Sequence, residues 1–106
     1  MATTTLPMPE LETDERTRWQ PHYAVILHDD DFNSMDWVLV VLAKVFGYAV
    51  EKCFRLMMEA HETGRSIVWT GTLEVAELKA EQIHDCGGDP GNPKAAPLGA
   101  TIEELD

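Results

Sequence analysis

The sequence predicts an α+β fold, a single compact domain in which about three helices pack on a small antiparallel sheet in the order β-α-α-β-α-β. Three observations lead to this prediction. The length of 106 residues allows one domain. Three segments carry apolar residues at helical spacing and are followed by glycine, and short runs that contain β-branched residues lie between them.

Residues 1–21 are expected to form a flexible N-terminal arm, and residues 22–106 the folded core. The arm is acidic, contains Pro7, Pro9 and Pro21, and has no apolar period. It lacks the apolar stretch of a secretory signal peptide. The longest apolar run, Trp37 to Ala43, is too short to cross a membrane. We therefore expect a cytoplasmic protein.

The first strand and the first helix are predicted around an acidic turn. Tyr23 to His28 reads as a strand and is closed by three aspartates. Asn33 and Ser34 then offer helix N-caps, and Gly47 offers a C-terminal stop. Between them, apolar residues recur at helical spacing at Met35, Val38, Leu39, Leu42, Val45 and Phe46.

The second half of the chain repeats these signals. A second helix is predicted from about Val50 to Thr63, followed by a brief strand at Ile67–Trp69. The third helix begins after Thr72, ends before Gly87, and is expected to turn three apolar residues inward: Val75, Leu78 and Ile83. After a Pro/Gly loop at Asp89–Pro93, the segment Pro97 to Glu103 can return as a last strand.

Charge and cysteine usage exclude several functions. A formal net charge of -11 leaves no surplus of Lys and Arg for a nucleic acid backbone, but it suits a cationic partner such as a protonated N-terminal amine. Cys53 and Cys86 form no C-x-x-C pair, so we expect reduced thiols, with Cys53 in the core, and no zinc site. No cofactor motif is present.

The acidic turn His28–Asn33 is the most unusual local feature. Adjacent carboxylates repel one another unless a cation or several donors lie nearby, yet Asp and Asn also serve in ordinary solvated turns. Asp29, Asp31 and Asn33 match the first ligands of a calcium loop. That interpretation fails, because Ser34 stands where glycine is required and Val40 where a glutamate is required.

A small metal-dependent hydrolase is the alternative function. It would use His28, the neighbouring aspartates and His61, although no H-E-x-x-H or comparable ligand spacing supports it. No nucleophile motif or phosphate-binding loop is present either. We therefore expect a protein without catalytic activity.

Met57, Ala60 and His61 share one face of the second helix, and such a stripe suits an ordinary core as well as a pocket.

Together these blocks resemble the ClpS family of protease adaptors. The strand, turn and helix start read YAVILHDDDFNSMDWV from Tyr23 to Val38, close to the family pattern Y-x-V-I-L-x-N-D-D-Y/F-T-P-M-E/D-F/W-V. The second helix carries LMMEAHETG from Leu56 to Gly64, and the third carries TLEVAELK from Thr72 to Lys79. The order and spacing of the family are kept without gaps.

The resemblance implies an adaptor that binds N-degron substrates and delivers them to a Clp ATPase–ClpP protease. By this resemblance Asp29, Asp30 and His61 would contact the substrate α-amino group. The first side chain would lie in a hydrophobic pocket with a polar rim, formed by Asn33, Met35, Val38, Met57, Ala60 and Leu98. Glu74 and Lys79 would dock on the N-terminal domain of an ATPase of the ClpA or ClpC type. A relative that had lost ATPase docking is a further possibility.

Two departures from the family matter for the site. Asp29 replaces the usual asparagine, and a carboxylate accepts hydrogen bonds but donates none unless it is protonated. Two alternatives are open: Asp29 attracts an ammonium more strongly but loses a contact to the peptide, or it is protonated beside Asp30 and Asp31 and regains a donor. Ala60 stands where many members have valine, so we expect extra room for bulky aromatic first residues, including tryptophan.

Overall fold

A three-stranded antiparallel sheet in the order β2-β1-β3 forms one layer of the fold in the computed structural model, which describes residues 21–105. The strands are β1 (His22–His28), β2 (Arg65–Gly71) and β3 (Ala100–Leu105). The helices are α1 (Met35–Phe46), α2 (Val50–Thr63) and α3 (Leu73–Asp85). The predicted α+β class and element order are confirmed. The predicted arm, apart from Pro21, lies outside the described residues.

The helix boundaries follow the capping signals of the sequence. Ser34 caps α1, because its hydroxyl oxygen accepts the backbone N–H of Trp37 at 3.1 Å. Gly47 ends α1 and Gly64 ends α2, both with positive φ values of 73° and 98°, a conformation that costs glycine little. Of the two N-caps that the sequence offered, Asn33 is used elsewhere.

The core lies between the central strand and the helices. Val25 and Leu27 of β1 are buried against Val41 and Leu42 of α1. Cys53 of α2 is 1% exposed, as expected for a small core residue. Full burial of such apolar side chains contributes about 1.5–3 kcal/mol each. This packing fixes the end of β1, and with it the start of the acidic turn.

The inward face of α3 differs from the prediction. Ile83 is buried as expected, but Val75 is 37% exposed and Leu78 is 48% exposed. Ala76 and Ala80 are buried in their place. Together with Ile83 they follow the i, i+4, i+7 spacing of one helix face. We predicted that the larger apolar residues face inward, but the small alanines of α3 lie against the sheet and α1.

The two outer strands also differ in extent from the prediction. β2 continues beyond Ile67–Trp69 in both directions, and β3 begins at Ala100 rather than at Pro97. The backbone N–H of His28 donates to the carbonyl of Gly99 at 2.9 Å. This bond ties the end of β1 to the residues that precede β3.

The two cysteines are expected to react at different rates. Burial raises the pKa of the Cys53 thiol, whereas Cys86 is only half-buried, and the thiolate is the reactive form. Under native conditions at pH 8, iodoacetamide should modify Cys86 more than about tenfold faster than Cys53. Peptide mapping by mass spectrometry measures both rates. Equal rates in folded protein would contradict the buried position of Cys53, and denatured protein is the control.

Candidate functional site

A cavity of about 300 Å³ opens beside the acidic turn. This volume lies at the lower end of the range of roughly 300–1,000 Å³ for small-ligand pockets. The turn, the start of α1, the end of α2 and the segment before β3 form its walls. They contribute Leu27, His28, Asp29, Asp30, Asp31, Asn33, Ser34, Met35, Val38, Met57, Ala60, His61 and Leu98.

Asp30 organises the acidic turn from within. Its Oδ1 accepts the backbone N–H groups of Phe32 and Asn33, both at 2.8 Å. Its Oδ2 accepts the side-chain Nδ2 of Asn33 at 2.9 Å. These donors offset the repulsion between neighbouring carboxylates, which the sequence alone left unexplained. A carboxylate has about four acceptor positions, so Asp30 keeps capacity for one further donor.

Asp29 and His61 face each other across the mouth of the cavity. The His61 Nδ1 and Asp29 Oδ1 atoms are 3.6 Å apart, and their side chains are 54% and 36% exposed. That separation is too long for a good direct hydrogen bond, so both groups remain available to a third partner. The backbone N–H of Asp29 donates to the carbonyl of Gly64 at 3.1 Å, which holds the turn against the end of α2.

The floor of the cavity is apolar. Met57, Ala60 and Leu98 are 4%, 3% and 1% exposed, and they come from α2 and from the segment before β3. Ala60 and His61 share a face of α2 with Met57, because they stand three and four residues after it. Met35 is 46% exposed at the start of α1. An opening with acidic and imidazole side chains thus leads to an apolar interior.

All the residues that the family resemblance predicted for binding the α-amino group and for the hydrophobic pocket line this one cavity. Their roles toward a ligand remain predictions. Sequence reasoning missed Leu27, which ends the buried run of β1 and adds to the wall. A signal was present, since Leu27 is the last apolar residue before the acidic turn.

Asn33 lines the cavity, and its amide also bonds to other segments of the chain. Its Nδ2 donates to the carbonyl of Ala96 at 2.9 Å as well as to Asp30. Its Oδ1 accepts the backbone N–H of Asp89 at 2.7 Å. The amide therefore connects the acidic turn to the Pro/Gly loop, a contact that the sequence did not predict.

The two residues predicted to dock an ATPase lie on α3 and outside the cavity. Glu74 is exposed in the first turn of the helix. Lys79 is half-buried, and its Nζ donates to the backbone carbonyl of Val45 at 2.9 Å. A cation at this place also suits the negative end of the α1 dipole. The side chain of Lys79 thus helps to join α3 to α1.

In the described part of the chain, the geometry gives the hydrolase alternative no set of metal ligands. His28 is engaged with β3, since its Nε2 lies 2.6 Å from the hydroxyl oxygen of Thr101. Across residues 21–105, no three His, Cys, Asp or Glu side chains are arranged to hold a metal ion. Within the same residues, no helix has both the length and the apolarity needed to span a membrane.

Comparisons with known proteins agree on one family. The family model described as "ATP-dependent Clp protease adaptor protein ClpS" matches residues 18–100. An adapter protein ClpS of Desulforapulum autotrophicum is 33% identical over 93 residues, covering 88% of this chain and 86% of that protein. One from Aromatoleum aromaticum is 42% identical over 74 residues, covering 69% and 72%.

A solved structure shares the fold. Agrobacterium tumefaciens ClpS2 bound to L-phenylalaninamide superposes with a TM-score of 0.72 at 34% sequence identity. The match covers 80% of this chain and 98% of that one.

Proposed function

Because this chain belongs to the ClpS family of ATP-dependent Clp protease adaptors, we propose that it binds N-degron substrates and delivers them to a Clp ATPase–ClpP protease. The substrate would be held by its free α-amino group and a bulky hydrophobic first residue. One observation carries this proposal. An acidic turn and an imidazole lie at the mouth of a cavity whose floor is Met57, Ala60 and Leu98.

The mouth of the cavity suits an ammonium group. An α-amine has a pKa of about 7.7–8.0, so most of it is charged at neutral pH. Asp29 and His61 offer acceptor atoms 3.6 Å apart, and hydrogen bonds from a charged donor are about twice as strong as neutral ones. Asp30 keeps the turn in the shape that presents these atoms and has an acceptor position left.

The floor of the cavity suits a large apolar side chain. Burying such a side chain contributes roughly 1.5–3 kcal/mol, and Met57 can repack around different shapes. The ligand of the Agrobacterium relative, L-phenylalaninamide, combines a free α-amine with an aromatic side chain. This chemistry supports the same two-part recognition in the present chain, with leucine, phenylalanine, tyrosine and tryptophan as first residues.

A peptide series that varies only in its first residue tests the proposal. Peptides that begin with Leu, Phe, Tyr or Trp should bind within about tenfold of one another, and one that begins with Gly should bind at least about tenfold more weakly. Fluorescence anisotropy gives each Kd. Equal binding of the Gly peptide would contradict the proposed pocket.

The variant Ala60→Val provides a matched control for the size of the pocket. Ala60 is buried in the floor, so the two added methyl groups should weaken the Trp peptide more than the Leu peptide. If Trp and Phe peptides bound the unchanged protein far more weakly than Leu, the extra room expected from Ala60 would be refuted.

Delivery would use the face of α3 that carries Glu74. Glu74 is exposed, and the neighbouring Val75 and Leu78 are also at the surface. No residue of α3 is among the described residues that line the cavity, which supports binding of a substrate and an ATPase domain at the same time. Capture of this chain by the purified N-terminal domain of a Clp ATPase tests the docking that delivery requires. Absence of capture would favour a relative that has lost ATPase docking.

A further inference from the structure

We propose that Asp89 is a positioning residue of the substrate site, which it shapes through Asn33 and Ser34. This inference rests on the proposed function and concerns how the site keeps its form. Asp89 lies in the Pro/Gly loop, outside the set of residues that line the cavity. Its effect would be indirect, because it contacts residues of the turn rather than a ligand.

Asp89 bonds to Asn33 of the acidic turn through its backbone and to Ser34, the N-cap of α1, through its side chain. Its backbone N–H donates to Asn33 Oδ1 at 2.7 Å, and its Oδ2 accepts the backbone N–H of Ser34 at 3.1 Å. Its Oδ1 accepts the N–H of Gly91 at 2.8 Å, which orients the carboxylate. Within residues 21–105, Asp89 is the one loop residue that is hydrogen-bonded to both Asn33 and Ser34.

Asn33 carries this constraint to both parts of the cavity. Its Nδ2 donates to Asp30 Oδ2 at the mouth and to the carbonyl of Ala96, two residues before Leu98 of the floor. The Oδ1 of the same amide is held by Asp89. The orientation of one amide therefore couples the amine-binding turn to the segment that supplies the apolar floor.

The loop is well placed to act as a rigid support. The Trp37 indole Nε1 donates to the carbonyl of Gly87 at 3.1 Å, and Asn92 Nδ2 donates to the carbonyl of Phe32 at 2.9 Å. A side chain at Gly88 would collide with the backbone of Ala95. Hydrogen bonds from the Ser34 hydroxyl, then from the backbone N–H groups of Gly91 and Ser34, lower the pKa of Asp89. The Asp89 carboxylate, which accepts these bonds, is therefore ionised at neutral pH.

The variants Asp89→Ala and Asp89→Asn test this role. Binding of a fluorescein-labelled peptide with an N-terminal phenylalanine is measured at pH 7, well below the unfolding temperature of each variant. We expect Asp89→Ala to weaken binding about tenfold. The affinity of Asp89→Asn should lie between that of the unchanged protein and that of Asp89→Ala, since an amide keeps one of the two accepting oxygens. Asp85→Asn is the matched control, because it removes the same charge from an exposed position at the end of α3.

A double-mutant cycle separates positioning from general destabilisation. Asp89→Ala keeps the backbone N–H that Asn33 Oδ1 accepts, but it removes the carboxylate bonds to Ser34 and Gly91 that hold this N–H in place. If the carboxylate acts on Asn33 in this way, the loss of affinity in Asp89→Ala should shrink to less than about threefold in the background of Asn33→Ala. A merely structural role would lower Tm and leave the affinity of the folded protein unchanged.

The outcomes distinguish this inference from the function on which it rests. Affinity within twofold of the unchanged protein for folded Asp89→Ala, or fully additive effects in the cycle, would overturn the positioning role alone. Failure of the unchanged protein to bind any peptide of the first-residue series would overturn the proposed function, and the inference with it.

Discussion

Acetylation of the α-amine is expected to weaken binding of a peptide with an N-terminal phenylalanine by at least about 100-fold. Acetylation removes the charge of the amine and two of its donors, so Asp29 and His61 would lose the partner proposed for them. Hydrogen bonds to charged groups contribute about 1.5–3 kcal/mol each, and the loss of two accounts for this factor. Fluorescence anisotropy or calorimetry at pH 7 measures both dissociation constants.

The control peptide is acetylated at a lysine side chain and keeps its α-amine. It has the same added group at a distance from the mouth of the cavity, so its Kd should change by less than about threefold. If the peptide blocked at the α-amine bound as tightly as the free one, the proposed binding of the amine by Asp29 and His61 would be wrong. The apolar floor would then have to account for recognition alone.

Asp30→Ala is expected to reduce peptide affinity by at least about thirtyfold. The Asp30 carboxylate accepts hydrogen bonds from the backbone of Phe32 and from both the backbone and side chain of Asn33. Each is worth about 0.5–1.5 kcal/mol, and their loss leaves the turn free to depart from its bound shape. The remaining acceptor position of Asp30 is lost as well.

Asp30→Asn refines this test. An amide has the shape of the carboxylate, but its NH₂ group would face the Nδ2 of Asn33, so one turn bond is lost even though the size is kept. Asp36→Ala is the control, since it removes a neighbouring exposed carboxylate that lies outside the cavity. Binding is measured at a temperature where circular dichroism shows each variant folded. Equal losses for Asp30→Ala and Asp36→Ala would indicate a charge effect rather than an organised turn.

Local signals explain why the element order could be predicted. Ser34, Gly47 and Gly64 act through the geometry of the backbone next to them, so the ends of α1 and α2 follow from residues within one helical turn. The spacing of Met57, Ala60 and His61 on α2 is likewise a property of the helix itself. Resemblance to the ClpS family then pointed to the same residues as a site, and the structure brings them to one cavity.

Contacts between distant segments depended on packing. Val75 and Leu78 are apolar, yet they lie at the surface because α3 turns its small alanines toward the sheet. The bonds of Asn33 to Asp89 and Ala96 span 56 and 63 residues of chain. Sequence spacing sets which side chains share a face, because the helix and strand periods are local. Which faces meet, and which loop closes on the acidic turn, depends on how the whole chain packs and satisfies its buried polar groups.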